Sequence, residues 1–269
     1  MKFDLVFCGV GGQGILSIAY VLDHAALQLG LRFKQSEVHG MAQRGGAVSS
    51  HLRVSDREIF SDVVPLGAAD LLLGVEPMET LRYLGFLAAG GQVVASTAPE
   101  VNIPDYPEME RILDALLARP GVTLLNGRKV ARDAGSHRAQ NMVLLGAAAP
   151  HLPIPGDVLE RFIGALFERK GEKVVRVNLD AFRFGRETGE LFRRGVDAGA
   201  EPRALLALMD HLESSTLEAS AAELWCEVLA APVGAALEQR WRDDPRRTIP
   251  GGAAMARLLL AGVDALPAA

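Results

Sequence analysis

The chain has 269 residues, of which 49% are hydrophobic and 23% charged, enough apolar material for one large domain with a sizeable core. Its formal charge of -5 excludes the basic surface expected of a nucleic-acid binder, although local basic patches can still seat a phosphorylated small molecule. No apolar stretch approaches the ~20 residues a membrane helix needs, and the first ten residues, with Asp4 inside an apolar run that leads into a glycine turn, do not read as an export signal.

Phe3 to Cys8 reads as a short buried strand. It breaks at Gly9–Gly14, and an apolar helical pattern follows from Ile15 to about Leu29, ended by Gly30. Leu31 to Glu37 predicts a second strand. Ala47 to Val54 alternates and predicts a third, in a hairpin with the segment around Ile59. Ala69 to Val75 is another buried strand, with a helix from about Glu76 to Leu87 and a Gly90-Gly91 turn into a strand at Gln92–Ser96. A helix at Glu108–Arg119, a strand at Val122–Leu125 and helices at Gln140–Ala149 and Gly156–Lys170 come next. Strands alternating with helices predict an α/β fold: a Rossmann-like, mostly parallel sheet with helices on both faces.

After about Arg186 the strand signals vanish. Pro202 to Ala231 is helical in pattern, and Asp243–Gly252 is loop-like. The expected division is an α/β domain over residues 1–187 and a C-terminal helical extension over 188–269. Leu205, Leu208, Leu212 and Leu217, with Trp225 and Trp241, suggest an apolar stripe that needs burial, on a partner chain or a second copy.

The glycines carry the first chemistry. Gly9-Val10-Gly11-Gly12-Gln13-Gly14 fits G-x-G-x-x-G between a strand and a helix. Glycines permit positive φ and close backbone approach, and a helix N-terminus offers free N–H groups to an anion. The plain alternative is a tight turn that lets helix pack on strand. A nicotinamide site wants an acidic residue roughly 20 residues on, at the end of the second strand. Glu37 is in that place, but Glu37–Gly46 is too glycine-rich and polar to open the helix of a simple Rossmann unit. Cys8 and Cys226 lie far apart in no metal-ligand spacing. They suit a reduced, cytoplasmic protein, and no metal site is expected. An iron–sulfur cubane usually takes four Cys ligands, so this chain alone cannot hold one.

Two motifs together carry a resemblance. GVGGQGI at Gly9–Ile15 and SEVHGMAQRGG at Ser36–Gly46 resemble the gamma domain of the pyruvate/2-oxoacid:ferredoxin oxidoreductases. The His39-Gly40-Met41-Ala42-Gln43-Arg44 variant is similar to the indolepyruvate oxidoreductase beta subunit in particular. Glu76-Pro77, Gly90-Gly91, Asn141–Gly146 and Asn178–Phe182 with Gly185 follow in the family's order. The resemblance covers roughly Met1 to Glu187; residues to Ala269 match nothing in it.

The resemblance implies an accessory subunit in a hetero-oligomer. A large alpha subunit would carry thiamine diphosphate with its magnesium and the 4Fe–4S clusters. Aryl 2-oxoacids such as indolepyruvate would be oxidatively decarboxylated to arylacetyl-CoA or arylacetate, with coenzyme A as co-substrate and ferredoxin as electron acceptor. No nucleic acid or membrane is involved. The accessory chain would be inactive alone and would complete the site at the interface. His39, Gln43 and Arg44 are its expected catalytic contacts, and Arg44 can present a forked donor set to phosphate or carboxylate. Gly9, Gly11, Gly12, Gln13, Gly14, Glu37, Gly45, Gly46 and Asn141 are the expected cofactor-side residues. A structural histidine at 39, an Arg44–Glu37 pair and a capping Asn141 are the bland readings. Arg128, Lys129, Arg132 and Arg138, around Asp133, form a loose basic cluster that is either a solvated face or a seat for an acidic partner or a coenzyme phosphate. Two rivals stand beside this reading: a stand-alone Rossmann oxidoreductase with its own dinucleotide, and a purely structural subunit.

Overall fold

A computed structural model of the chain describes residues 1–39, 46–101, 105–197, 199–211 and Ser214. Six strands form one sheet: β1 (Lys2–Val10), β2 (Arg32–His39), β3 (Ala47–Ser55), β4 (Ala69–Gly74), β5 (Leu87–Ser96) and β6 (Val122–Leu125). Their order is β2-β3-β1-β4-β5-β6. Strands β1, β4, β5 and β6 run parallel, while β3 is antiparallel to both its neighbours, β1 and β2. Leu5, Val6, Phe7 and Cys8 are buried, as are Leu71, Leu72 and Leu73; near-continuous apolar runs are what strands covered on both faces require.

Helix α1 (Ile15–Gln28) covers β1, β2 and β3 and meets α5 (Gln140–Ala148) and α6 (Gly156–Phe167). Helices α2 (Pro77–Tyr83) and α3 (Met109–Leu117) pack together, α2 against β1, β4 and β5. Helix α4 (Gly127–Asp133) follows β6; α7 (Glu172–Asp197) and α8 (Pro202–His211) close the described chain.

Asp4, the one acid inside β1, is fully buried, and Arg53 of β3 clasps both its carboxylate oxygens at 3.0 and 3.2 Å, with Lys2 at 2.8 Å. A buried carboxylate is tolerable only with such pairing.

Three local expectations need correcting. Strand β3 does not hairpin with the segment around Ile59; it pairs with β2 and β1, and residues 57–60 form no strand. The 57–63 segment instead folds over the sheet, with Arg53 donating to the Ser61 and Val63 carbonyls. The helix after Glu76 ends at Tyr83, a short 3-10 turn follows, and β5 begins at Leu87. Gly90 and Gly91 therefore lie within β5 rather than in a turn before it. There the ladder with β4 slips between Ala69 and Leu71, and a β-carbon on Gly91 would meet the Ala69 carbonyl at 2.6 Å; the glycine permits a bulge.

The hub behind the sheet is the α5–α7 contact. A β-carbon on Gly185 would overlap the Val143 carbonyl, and one on Gly146 the Phe182 carbonyl, so each helix lays its backbone into the other's glycine. Helix α7 runs unbroken past Glu187 to Asp197. Leu191, Phe192, Leu205 and Leu208 are buried in the same core, and Arg203 reaches Glu110 and Asp114 of α3. Residues 188–211 thus pack on the chain's own domain. Leu212, Leu217, Trp225, Cys226, Trp241 and the 243–252 loop lie outside the described residues. No helix of the described residues is long and apolar enough to cross a membrane.

Candidate functional site

The parallel strands end together, and their exits line one edge. Gly9–Gly14 leaves β1, Glu76 follows β4, Ala98 to Glu100 follow β5, and Asn126 follows β6. Carboxyl edges of this kind are where open α/β sheets bind ligands.

At the first exit the backbone does what glycine allows. Gly12 has φ 100° and Gly14 φ 77°. The Gln13 side chain folds back so that its Oε1 accepts from the Val10 N–H at 2.8 Å. Gly9 sits beneath it, where a β-carbon would lie 2.7 Å from that oxygen. Asn141, on the first turn of α5, donates from Nδ2 to the Gly14 carbonyl at 3.1 Å. A β-carbon on Gly14 would meet the same nitrogen at 2.7 Å, so turn and helix are fitted to each other. Helix α1 starts with no side-chain cap and no acidic residue in its first turn, which leaves its positive end open.

That open end forms one wall of a cleft of about 860 Å³. Gly12, Gln13, Gly14 and Ser17 supply it from the turn and α1. The facing wall carries Arg128, His137, Arg138 and Asn141, and the start of α7 brings Lys173 and Asn178, with Lys170 just before it. Glu100 is the acid of the cleft, and it pairs with Arg128 at 2.7 Å. Four cationic side chains and a helix N-terminus against one carboxylate favour an anionic ligand. Two polar atoms buried at the turn, Gln13 Nε2 and Asn141 Oδ1, have no hydrogen-bond partner among the described residues, whereas most buried polar groups are paired.

The rest of the edge is rigid scaffold. Gln140 Nε2 reaches the Val75 carbonyl at 2.9 Å and Ser96 Oγ at 3.5 Å, tying α5 to the ends of β4 and β5. The fully buried Glu76 carboxylate accepts from the N–H groups of Glu79 and Glu100 and from Tyr106 Oη. It thereby fixes the segment that carries Glu100. Cys8 is buried at this end of β1, and burial, then Glu79, pushes its thiol well above the ordinary range. It is an inert core residue.

The structure brings some of the expected residues together and not others. Gly12, Gln13, Gly14 and Asn141 line the cleft, with Gly9 packed beneath. Gly11 donates its N–H to the Gly46 carbonyl at 2.9 Å, which joins the two glycine motifs at one edge. Strand β3 lies between β1 and β2, so the motifs do not leave neighbouring strands; they meet because antiparallel β3 begins at Ala47, opposite Val10 at the end of β1. His39 ends β2, opposite Val48. Gln43, Arg44 and Gly45 lie outside the described residues. Glu37 is exposed, accepts from Gln35 Nε2 at 2.7 Å and does not line the cleft. It stands two strands from β1, roughly 10 Å at the usual inter-strand spacing, whereas a ribose-holding acid belongs on the adjacent strand.

Of the loose basic cluster, Arg128 and Arg138 reach the cleft, while Lys129 pairs with Asp133 at 2.7 Å. Sequence reading gave no site role to His137, Lys170, Lys173 and Asn178. Among the described residues no group of three His, Cys, Asp or Glu side chains could hold a metal ion.

Fold and cleft together define an α/β domain with a candidate ligand site at the carboxyl edge of the sheet. The model of the pyruvate ferredoxin/flavodoxin oxidoreductase family matches residues 4–188, and the chain belongs to that family. It is 36% identical over 194 residues to the indolepyruvate oxidoreductase subunit IorB of Methanothermobacter thermautotrophicus, covering 69% of this chain and 96% of that protein. With the Archaeoglobus fulgidus subunit of the same description it shares 35% over 192 residues, or 69% and 94% of the two chains. The crystal structure of the keto/oxoacid ferredoxin oxidoreductase gamma subunit from Geobacter sulfurreducens superposes with a TM-score of 0.52 at 26% identity, covering 70% of this chain and 95% of that one.

Proposed function

We propose that this chain is the accessory subunit of an aryl 2-oxoacid:ferredoxin oxidoreductase, inactive alone, and that its basic cleft seats the phosphate-bearing co-substrate coenzyme A. The observation that carries this reading is the cleft itself, with the uncapped N-terminus of α1 facing Arg128, Arg138, Lys170 and Lys173. The indolepyruvate subunits that it resembles over nearly their whole length support the aryl substrate class.

In this reading the α1 N–H groups and the Lys170 and Lys173 ammonium groups hold phosphate oxygens, a use of helix N-termini and cations that needs no proton transfer. Glu100 keeps Arg128 oriented until the anion arrives. Asn141 fixes the turn through the Gly14 carbonyl. Gly46 is joined to the turn through Gly11, and in this reading Gln43 and Arg44 are contacts for the large subunit. Thiamine diphosphate with magnesium and the iron–sulfur clusters would sit on that subunit and supply decarboxylation and electron transfer; two cysteines in the whole sequence do not make a cubane site here.

A stand-alone dinucleotide oxidoreductase fits less well, because β3 separates Glu37 from the glycine turn. The test is purification of the tagged chain from its host beside the same chain made alone. The complex is expected to contain thiamine diphosphate and iron and to oxidise aryl pyruvates. The isolated chain is expected to be colourless and inactive; iron or nicotinamide bound to it would overturn the reading.

A further inference from the structure

One face of the molecule is dressed for contact and is separate from the cleft. Along the outside of α1, Leu16, Tyr20 and Leu27 are 49%, 37% and 57% exposed. At about 100° per residue they share a stripe with Asp23, all within roughly 60° of arc. The His24 ring stacks on Tyr20 at 3.9 Å between centroids and reaches Phe162 of α6 at 5.9 Å, widening the stripe onto a second helix. Scattered exposed leucines need no explanation, whereas a contiguous stripe on a well-formed helix marks an interaction site.

Asp23 says what kind of partner fits. It lies in the middle of the stripe, only 8% exposed, and its Oδ1 has no hydrogen-bond partner among the described residues. Burial, then the Glu37 carboxylate, pushes its carboxyl up to about 7. No base is at hand. Helix α1 contains neither Lys nor Arg, and His24 turns its Nδ1 to the Tyr20 carbonyl. On β2, Arg32 and Lys34 alternate with Phe33, Gln35 and Glu37 and so point to the opposite face. On α6, Glu160 is occupied by Arg183 at 2.7 Å. A buried carboxylate with an empty oxygen inside an apolar stripe is completed by a cation brought from outside.

We infer that the outer face of α1, with Phe162, is the surface by which this chain docks on the large subunit, and that the large subunit presents there an apolar patch carrying one lysine or arginine directed at Asp23. A second copy of this chain is a poorer occupant: a twofold contact sets the same face against itself, acid against acid, with no base on α1 to offset it. The inference rests on the chain being a subunit of the proposed complex.

The experiment is affinity purification of the tagged full-length chain from its native host, wild type beside Leu27→Glu, Leu16→Glu and Asp23→Asn. The second chain is identified by its thiamine diphosphate and iron and quantified per mole of bait. Each isolated variant is also checked for melting temperature and molar mass. The expected result is recovery of the large chain lowered about tenfold by Leu27→Glu and by Leu16→Glu, and several-fold by Asp23→Asn, from chains that stay folded and monomeric. Wild-type recovery in all three variants overturns the docking face. A wild-type mass of two chains that Leu27→Glu halves assigns the face to self-association and overturns it too. A fall in the melting temperature of isolated Leu27→Glu assigns the face to residues 215–269 of the same chain and likewise overturns it. If the wild type itself brings down no thiamine-bearing chain, it is the functional reading that fails.

Discussion

Two regions of this molecule are built on glycine for opposite reasons. At the α5–α7 crossing, Gly146 and Gly185 are ordinary helical residues whose value is a missing β-carbon: each leaves room for the other helix's carbonyl. At the β1–α1 turn, Gly12 and Gly14 matter for their left-handed φ of 100° and 77°. There the backbone lines a cleft, while the Gly11 and Gln13 N–H groups bond to the Gly46 and Val10 carbonyls. The crossing is buried and closely packed. The turn is polar and leaves Gln13 Nε2 and Asn141 Oδ1 buried without partners among the described residues. The same residue type therefore signals packing in one place and ligand access in the other, and only the neighbours tell them apart.

Substitutions can break that contrast. The largest effect is expected at the crossing: Gly185→Ala or Gly146→Ala forces two helix backbones apart and should cost at least ~3 kcal/mol, read by chemical denaturation of the full chain. At the turn, Gly14→Ala meets both an adverse φ and Asn141, and should cost roughly 1–3 kcal/mol together with anion affinity. Gly12→Ala, with nothing within 4 Å of the new carbon, should cost only the backbone share, about 1 kcal/mol. Equal losses at Gly12 and Gly14 would show that Asn141 adds nothing.

A titration sharpens the contrast at the far side of α1. The Asp23 carboxyl, raised to about 7, holds its proton in the folded chain between roughly pH 4 and 7, where the unfolded chain has lost it. Stability contributed by this group therefore falls as pH rises through that window and stays lower above it. Asp23→Asn should stabilise the isolated chain at pH 8 by ~1–2 kcal/mol and have little effect at pH 4, measured by thermal denaturation across pH. The same stabilisation at both pH values would contradict the assigned cause. An effect as small as that of Gly12→Ala is expected of Asn141→Ala, which removes one hydrogen bond to the turn and should cost about 1 kcal/mol, with a matching loss of phosphate binding by calorimetry.

Much of this was legible in the sequence. Apolar runs and turn residues located the strands, because strands buried on both faces carry local signals. The pairing of β2 with β3 was not, since hairpin partners depend on what lies at a distance, and the segment around Ile59 offered β3 a nearer partner in the chain. Gly90-Gly91 looked like a turn because a bulge inside β5 uses the same residue. In the cleft, the turn glycines and Asn141 were readable from motif and position. Lys170, Lys173 and His137 were not: like Asn141 they lie more than 120 residues on from the turn, but no motif marks them, and only the packing of α5 and α7 brings them there. That crossing also explains why Gly146 and Gly185 sit among the family's shared pieces without touching the cleft.

Whether the cleft binds the co-substrate of the complex is tested most directly by steady-state kinetics. The purified complex would carry Lys170→Ala with Lys173→Ala, and coenzyme A and the 2-oxoacid would be varied separately. The expected result is a KM for coenzyme A raised about tenfold or more, in keeping with two lost charge-assisted contacts, with the KM for the 2-oxoacid unchanged. An unchanged KM for coenzyme A in a complex of normal composition would contradict a coenzyme site in the cleft.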